Sequence, residues 1–113
     1  MDFETQTFKG MEVVRLKGRL DATNAPDLER ELGPIIGKAT ATLLVNLKDL
    51  DYISSAGLRT LLMAAKLMRK KGGTVALCAL QAPVKEVFDI AGFTELFPVY
   101  DTEEAAVGTS VPA

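Results

Sequence analysis

The sequence predicts a single α/β domain built on a mixed sheet of four to five strands, with the central strands parallel. Short apolar runs that favour strands alternate along the chain with segments whose apolar residues recur at helical spacing. Strand–helix–strand order requires crossovers between parallel strands. The chain has 113 residues, 48% hydrophobic and 25% charged, which is typical of one compact domain. We expect the domain to span residues 1–107 and residues 108–113 to form a flexible tail.

The first elements predicted are two strands and a helix. Residues 3–8 and 11–17 are β-favouring runs on either side of Lys9-Gly10, which predicts an antiparallel hairpin. A helix follows from about Pro26, because proline suits the first helical turn. Its inward residues should be Leu28, Leu32 and Ile35 or Ile36. Gly33-Pro34 should kink or end this helix, since proline removes a backbone hydrogen bond.

The middle of the chain predicts a buried strand and an amphipathic helix. Leu43-Leu44-Val45, within residues 41–47, form a short, continuously apolar run, as expected of a strand covered on both faces. Residues 46–58 then connect this strand to a helix that begins near Ser55 and runs to about Lys71. Gly72-Gly73 should end this helix. The apolar residues that define its inward face are Leu58, Leu61, Leu62, Ala65 and Met68.

The last third of the chain predicts one more strand and two helices. Residues 74–80 form an apolar strand, and a helix follows Pro83 and closes at Gly92. A short strand is expected near residues 97–100. Asp101 with Glu104 three residues later resembles a capping box, which predicts a short final helix. The apolar stripe of the helix after Pro83 consists of Val84, Val87, Phe88 and Ala91.

Composition limits the chemistry that the chain can perform. The chain contains no histidine and one cysteine, so we expect no serine or cysteine nucleophile with a histidine base and no zinc site. An enzyme with Ser55 as nucleophile is therefore disfavoured, and we expect no catalytic residue, metal or cofactor. Cys78 lies in an apolar run and is expected in the core.

Charge and hydropathy also limit the partners. The net charge of −2 and pI near 5.1 give no reason to expect a nucleic acid as partner. No apolar run approaches the roughly 20 residues that cross a bilayer, so we expect a cytoplasmic protein without membrane insertion.

The candidate site is the connection that leads into the middle helix. In open α/β sheets, loops at the carboxyl ends of strands usually carry the binding site. Ser54 or Ser55 could simply cap the helix, with Ser55 well placed to do so. A phosphate on Ser55 would also fit, because a helix N-terminus offers free N–H donors and partial positive charge. Asp21 and Asp51 should lie near it, although either could be a turn or capping residue.

The same helix also carries a basic outer face. Arg59, Lys66, Lys70 and Lys71 could meet an acidic partner or could simply be solvated, as charged residues on exposed helix faces usually are.

Several separated segments resemble one family. Residues 18–21 (Gly-Arg-Leu-Asp) and 51–59 (Asp-Tyr-Ile-Ser-Ser-Ala-Gly-Leu-Arg) are similar to anti-sigma factor antagonists of the STAS domain superfamily. Gly72-Gly73 before a strand and residues 87–93 also resemble the family pattern, and the similarity spans nearly the whole chain. This chain has Ser54 where the family has an aspartate before its phosphorylated serine.

The resemblance implies a phosphorylation switch. The unphosphorylated protein would bind an anti-sigma factor, itself a serine/threonine-protein kinase, and so release a sigma factor. Phosphorylation of Ser55, or as a second candidate Ser54, would break that binding, and a PP2C-type phosphatase would restore it. The partner-binding residues would be Asp21, Asp51, Ser54, Ser55, Gly57 and Arg59.

Two further expectations accompany this switch. The alternative is a STAS-like accessory subunit that binds constitutively within a lipid transporter or sensory complex. We expect a monomer or a weak dimer.

Overall fold

The computed structural model describes residues 3–8 and 10–110, which form five strands and four α-helices. The strands are β1 (Phe3–Phe8), β2 (Met11–Leu20), β3 (Thr42–Ile53), β4 (Thr74–Cys78) and β5 (Val99–Tyr100). The helices are α1 (Ala25–Lys38), α2 (Ser55–Lys70), α3 (Ala82–Ala91) and α4 (Glu103–Ser110). Lys9 of the predicted hairpin turn and residues 111–113 of the predicted tail lie outside the described residues.

The strands form one mixed sheet in the order β1-β2-β3-β4-β5. β1 and β2 pair antiparallel, whereas β2, β3, β4 and β5 pair in parallel. The predicted fold class is therefore confirmed. Because the strands from β2 onward are parallel, their carboxyl ends all lie at one edge of the sheet, which is where the candidate site forms.

The sheet is covered unequally on its two faces. Helices α1, α2 and α3 pack on one face and bury the larger core, to which Leu28, Leu61 and Phe88 contribute. Helix α4 covers the other face, where Ala106 is its buried contact with the strands. Burial of this apolar surface is the main favourable term in folding.

Strand β3 continues well beyond the predicted strand at residues 41–47, so the expectation that the connection begins near Asn46 is wrong. The pairing of β2 with β3 shifts twice, between Arg15 and Lys17 and between Gly18 and Arg19. Such bulges insert extra residues into a strand and change which side chains face inward. Leu47, Leu50 and Ile53 are consequently all buried although they lie three residues apart, a spacing that does not match the alternation of a regular strand.

Helix α1 does not end at Gly33-Pro34, so of the two outcomes predicted there, a kink or an end, the end is wrong. It runs without interruption to Lys38, with Pro34 inside it. Gly33 and Pro34 are exposed, whereas Leu32 and Ile36 are buried. Water can therefore hydrate the carbonyl that Pro34 leaves without a donor, while the apolar face on either side keeps the helix on the sheet.

Helix α4 begins and ends differently from the prediction. Thr102 supplies the cap, because its Oγ1 accepts a hydrogen bond from the N–H of Ala105 at 3.1 Å. The predicted capping box of Asp101 and Glu104 is therefore wrong. The helix extends to Ser110, past the predicted domain boundary at residue 107, and that boundary itself stays a prediction.

Cys78 is buried in the core beneath α4, as predicted. Its burial raises the pKa of the thiol to about 12, so the reactive thiolate is scarce near neutral pH. Among residues 3–8 and 10–110, no helix combines the length and hydropathy needed to cross a bilayer.

Candidate functional site

The candidate site lies where β2 and β3 end and α2 begins. Leu20 and Ile53, the last residues of the two strands, pair in register. The N–H of Ser54 donates to the carbonyl of Leu20 at 2.9 Å. This hydrogen bond holds the start of α2 against the end of β2.

Gly57 makes this close approach possible. A Cβ at this position would lie 2.7 Å from Cγ of Leu20 and 2.9 Å from Cγ1 of Ile53. Both distances are shorter than van der Waals contact, and both neighbours are buried core residues. Gly57 therefore sets how near the first turn of α2 lies to the two strands.

The helix cap is Ser54 and not Ser55. Ser54 has extended backbone, and its Oγ accepts a hydrogen bond from the N–H of Gly57 at 3.3 Å. Ser55 is the first helical residue and is exposed, whereas Ser54 is half-buried. Within the described part of the chain, the Ser55 hydroxyl makes no hydrogen bond. The Ser54 hydroxyl is thus occupied by capping, whereas the Ser55 hydroxyl is exposed.

This division of roles predicts different stability effects for the two serines. Ser54→Ala should lower the free energy of unfolding by about 0.5–1 kcal/mol, because it removes a cap acceptor. Ser55→Ala, the matched control one residue later, should change it by less than about 0.5 kcal/mol. Urea unfolding of the two variants measures both values. Equal losses, or a larger loss for Ser55→Ala, would contradict the assignment of the cap.

Asp21 follows β2 directly and so adjoins the start of α2. Its Oδ1 accepts hydrogen bonds from the N–H and the hydroxyl of Thr23, at 3.0 and 2.6 Å. These bonds, with a smaller contribution from Arg19, lower the pKa of the Asp21 carboxyl. Asp21 therefore presents a negative charge beside the site at neutral pH, in an orientation fixed by its own loop.

Arg19 and Tyr52 also flank the site and were not predicted from the sequence as site residues. They pair across β2 and β3, and the Arg19 guanidinium lies 4.2 Å from the centre of the Tyr52 ring. Such stacking is a cation–π interaction. Their pairing follows the second shift in register, so sequence spacing carried no direct signal for it.

Asp51 lies on β3 rather than in a loop, which corrects the prediction. Its Oδ1 is 3.4 Å from Nε2 of Gln81, the residue that precedes α3. Because β3 lies between β2 and β4, the Asp51 carboxylate lies on the side of β3 away from Asp21. The structure thus places Asp21 beside the start of α2 and the Asp51 carboxylate toward the start of α3.

Arg59 is exposed on the first turns of α2, four residues after Ser55. The helix carries the basic residues Arg59, Lys66, Arg69 and Lys70 and no acidic residue. Arg59 is the one of these within an i,i+4 spacing of Ser55, and together with the helix N-terminus its charge suits an anion at Ser55. The arrangement can accept a phosphoryl group on an exposed hydroxyl.

Comparison with known proteins supplies relatives over nearly the whole chain. A family model described as the STAS domain matches residues 2–106. A protein of Bordetella bronchiseptica named "Putative anti-sigma factor antagonist BtrV" is 44% identical over 97 residues, covering 86% of this chain and 84% of that protein. The anti-sigma F factor antagonist of Paenibacillus polymyxa is 30% identical over 108 residues, covering 95% and 92% respectively.

Solved structures share the fold. The anti-sigma factor antagonist SpoIIAA in its unphosphorylated form superposes with a TM-score of 0.83 at 23% identity, covering 96% of this chain and 95% of that chain. The phosphorylated form of SpoIIAA from Bacillus superposes with a TM-score of 0.75 at 22% identity, covering 96% and 98%.

Proposed function

Because the chain belongs to the STAS domain family, we propose that it is an anti-sigma factor antagonist controlled by phosphorylation of Ser55. In this proposal the unphosphorylated chain binds an anti-sigma factor in the cytoplasm and so releases a sigma factor. Phosphorylation switches the binding off. The names of the two relatives described above, which are 44% and 30% identical to the chain, support this role.

The exposed Ser55 hydroxyl at the start of α2 is the observation that carries the proposal. Ser54, the second candidate, is half-buried and its Oγ is engaged by Gly57. A kinase would have to break that cap to reach Ser54, whereas Ser55 presents a free hydroxyl. We therefore assign the phosphate to Ser55.

The phosphoryl transfer needs little from this chain. The Ser55 oxygen attacks the γ-phosphorus of ATP, ADP leaves, and the hydroxyl proton passes to a base on the kinase. The anti-sigma factor serine/threonine kinase supplies the nucleotide, Mg²⁺ and base, and a PP2C-type phosphatase hydrolyses the phosphate. The chain thus acts as substrate and ligand, so it needs no catalytic residue of its own.

The charge at the site supports an off switch. A phosphate adds about −1.5 to −2 charges at neutral pH, at the end of the sheet where Asp21 follows β2 and the Leu20 carbonyl holds Ser54. The helix terminus stabilises this charge through the N–H groups of its first turn. The modified surface is therefore stable in itself but repels a partner that brings carboxylates to the start of α2.

Most of the remaining predicted partner-binding residues lie near this position. Asp21, Arg59 and Gly57 lie at the start of α2 and are proposed to contact or shape the anti-sigma factor interface. Asp51 is proposed to lie at the edge of that interface, because its side chain is exposed. The chain is proposed to act as a monomer or weak dimer.

Phosphorylation in vitro tests the proposal. The chain is incubated with a candidate anti-sigma factor serine/threonine kinase and ATP, and the phosphate is mapped by mass spectrometry. We expect phosphate on Ser55 in the wild type and in Ser54→Ala, and none in Ser55→Ala. We also expect Ser55→Asp to bind the kinase at least about tenfold more weakly than the wild type, a change of about 1.4 kcal/mol.

Phosphate on Ser54 alone, or binding of the kinase by Ser55→Asp as tight as that of the wild type, would contradict the proposed switch. The alternative of a constitutive accessory subunit in a lipid transporter or sensory complex is less supported by the relatives. This alternative predicts that Ser55→Asp binds its partner as tightly as the wild type does, so the same experiment separates the two functions.

A further inference from the structure

A groove runs between α1 and α2 and begins at the candidate site. Its volume is about 550 Å³, and its apolar lining includes Ala22, Ala56 and Met63. Ala56 directly follows Ser55, so the groove and the phosphorylation site are continuous.

The charges along the groove are unequal on its two walls. Arg59 and Lys66 line the α2 side, are exposed, and make no ion pair within the described part of the chain. Glu29 lies on the α1 side. The α2 wall therefore carries two positive charges without an ion-pair partner among the described residues, beside an apolar floor, which favours an occupant with carboxylates on one edge.

Resting on the proposed function, we propose that this groove receives a segment of the anti-sigma factor with an apolar face and a row of carboxylates. The apolar face contacts Ala56 and Met63, and the carboxylates pair with Arg59 and Lys66. The opposite edge of the segment, which meets Glu29, is neutral or basic.

This placement also explains how one phosphate weakens the whole interface. Ser55 and Arg59 are four residues apart and lie on the same face of α2, where side chains interact. A phosphate on Ser55 attracts the Arg59 guanidinium and withdraws it from the partner. It also repels the carboxylate that Arg59 would otherwise hold.

Charge reversal at the groove tests the inference. The probe is the purified anti-sigma factor kinase used above, immobilised, with each chain variant in solution at low and at physiological ionic strength. Arg59→Glu with Lys66→Glu should weaken binding at least about tenfold and reduce its dependence on salt. Met63→Gln, which removes apolar contact without changing charge, should weaken binding about fivefold with the salt dependence unchanged.

The matched control is Arg69→Glu with Lys70→Glu at the other end of α2. It makes the same change in formal charge outside the groove and should bind within about twofold of the wild type. Thermal melting of each variant checks that it is folded.

The outcomes separate the groove from the switch. If Ser55→Asp loses binding but the groove variants bind like the wild type, the groove inference is wrong and the switch stands. If both charge reversals weaken binding equally, the effect is overall charge and the groove is not the docking site. If the wild type does not bind the kinase, the proposed function fails and the groove inference fails with it. If sedimentation shows that the groove variants abolish self-association instead, the occupant is a second copy and the proposal is overturned.

Discussion

Gly57→Ala is expected to lower the free energy of unfolding by about 2 kcal/mol, because the new Cβ would overlap two core side chains. The nearest atoms, Cγ of Leu20 at 2.7 Å and Cγ1 of Ile53 at 2.9 Å, are held in the core and cannot swing away. Relief requires the first turn of α2 to shift away from β2. Because Ser55 moves with that turn, we also expect slower phosphorylation by the kinase.

Gly37→Ala provides the control with the same chemical change. Gly37 lies in α1 and is exposed, and a Cβ added there would meet no atom of the described residues within 4 Å. Alanine there should raise the free energy of unfolding by about 0.5 kcal/mol, since it lowers the entropy of the unfolded chain. Chemical denaturation measures both variants. A neutral Gly57→Ala would show that the helix can reposition at little cost, contrary to its assigned role.

Glu103→Gln is expected to lower the free energy of unfolding by about 2 kcal/mol, because it leaves the part-buried Arg15 without its counter-charge. Both Glu103 oxygens accept from Arg15, each at 2.9 Å, and Asn46 donates to Oε1 at 3.0 Å. This network joins α4 to β2 and β3. Faster hydrogen exchange of the α4 amides is therefore expected in the same variant.

The effect of Glu103 should depend on pH. The hydrogen bonds from Arg15 lower the pKa of the Glu103 carboxyl in the folded chain. A lowered folded-state pKa stabilises the protein fully above the unfolded value, about 4.3, and this stabilisation is lost as the pH falls through the folded value. The difference in the free energy of unfolding between wild type and Glu103→Gln should therefore reach its full value at pH 7 and decrease as the pH falls into the acid range. Glu104→Gln, at the exposed neighbouring residue, is the control and should show neither effect. A difference that stays constant into acid would argue against the network.

The sequence by itself predicted the elements whose signals are local. Helical spacing identified the inward residues Leu28, Leu61 and Phe88, which are buried. Pro26 and Gly92 marked where helices begin and end, because both residues restrict the backbone in known ways. The order of strands and helices then predicted parallel pairing in the centre of the sheet, and the motif around Ser55 pointed to a family and a function.

The site was predicted only in part, because capping and strand register depend on contacts. The sequence did not decide whether Ser54 or Ser55 caps α2, and the hydrogen bond from the N–H of Gly57 to Ser54 Oγ shows that Ser54 does. The two bulges of β3 changed the spacing of inward residues from two to three, which hid the end of the strand from periodicity. The second of these register shifts, between Gly18 and Arg19, leaves Asp51 within β3 and pairs Arg19 with Tyr52.

The sequence alone therefore determined that this is an α/β domain with a serine motif at the start of a helix, since propensity and periodicity act over a few neighbouring residues. The tertiary structure decided which serine is free, which aspartate adjoins it and which groove extends from it. Those features depend on groups that are brought together from distant parts of the chain. Arg15 and Glu103 are 88 residues apart in sequence yet form a bidentate ion pair, and Leu20 fixes the start of a helix that begins at Ser55. The packing of the helices on the two faces of the sheet sets these distances.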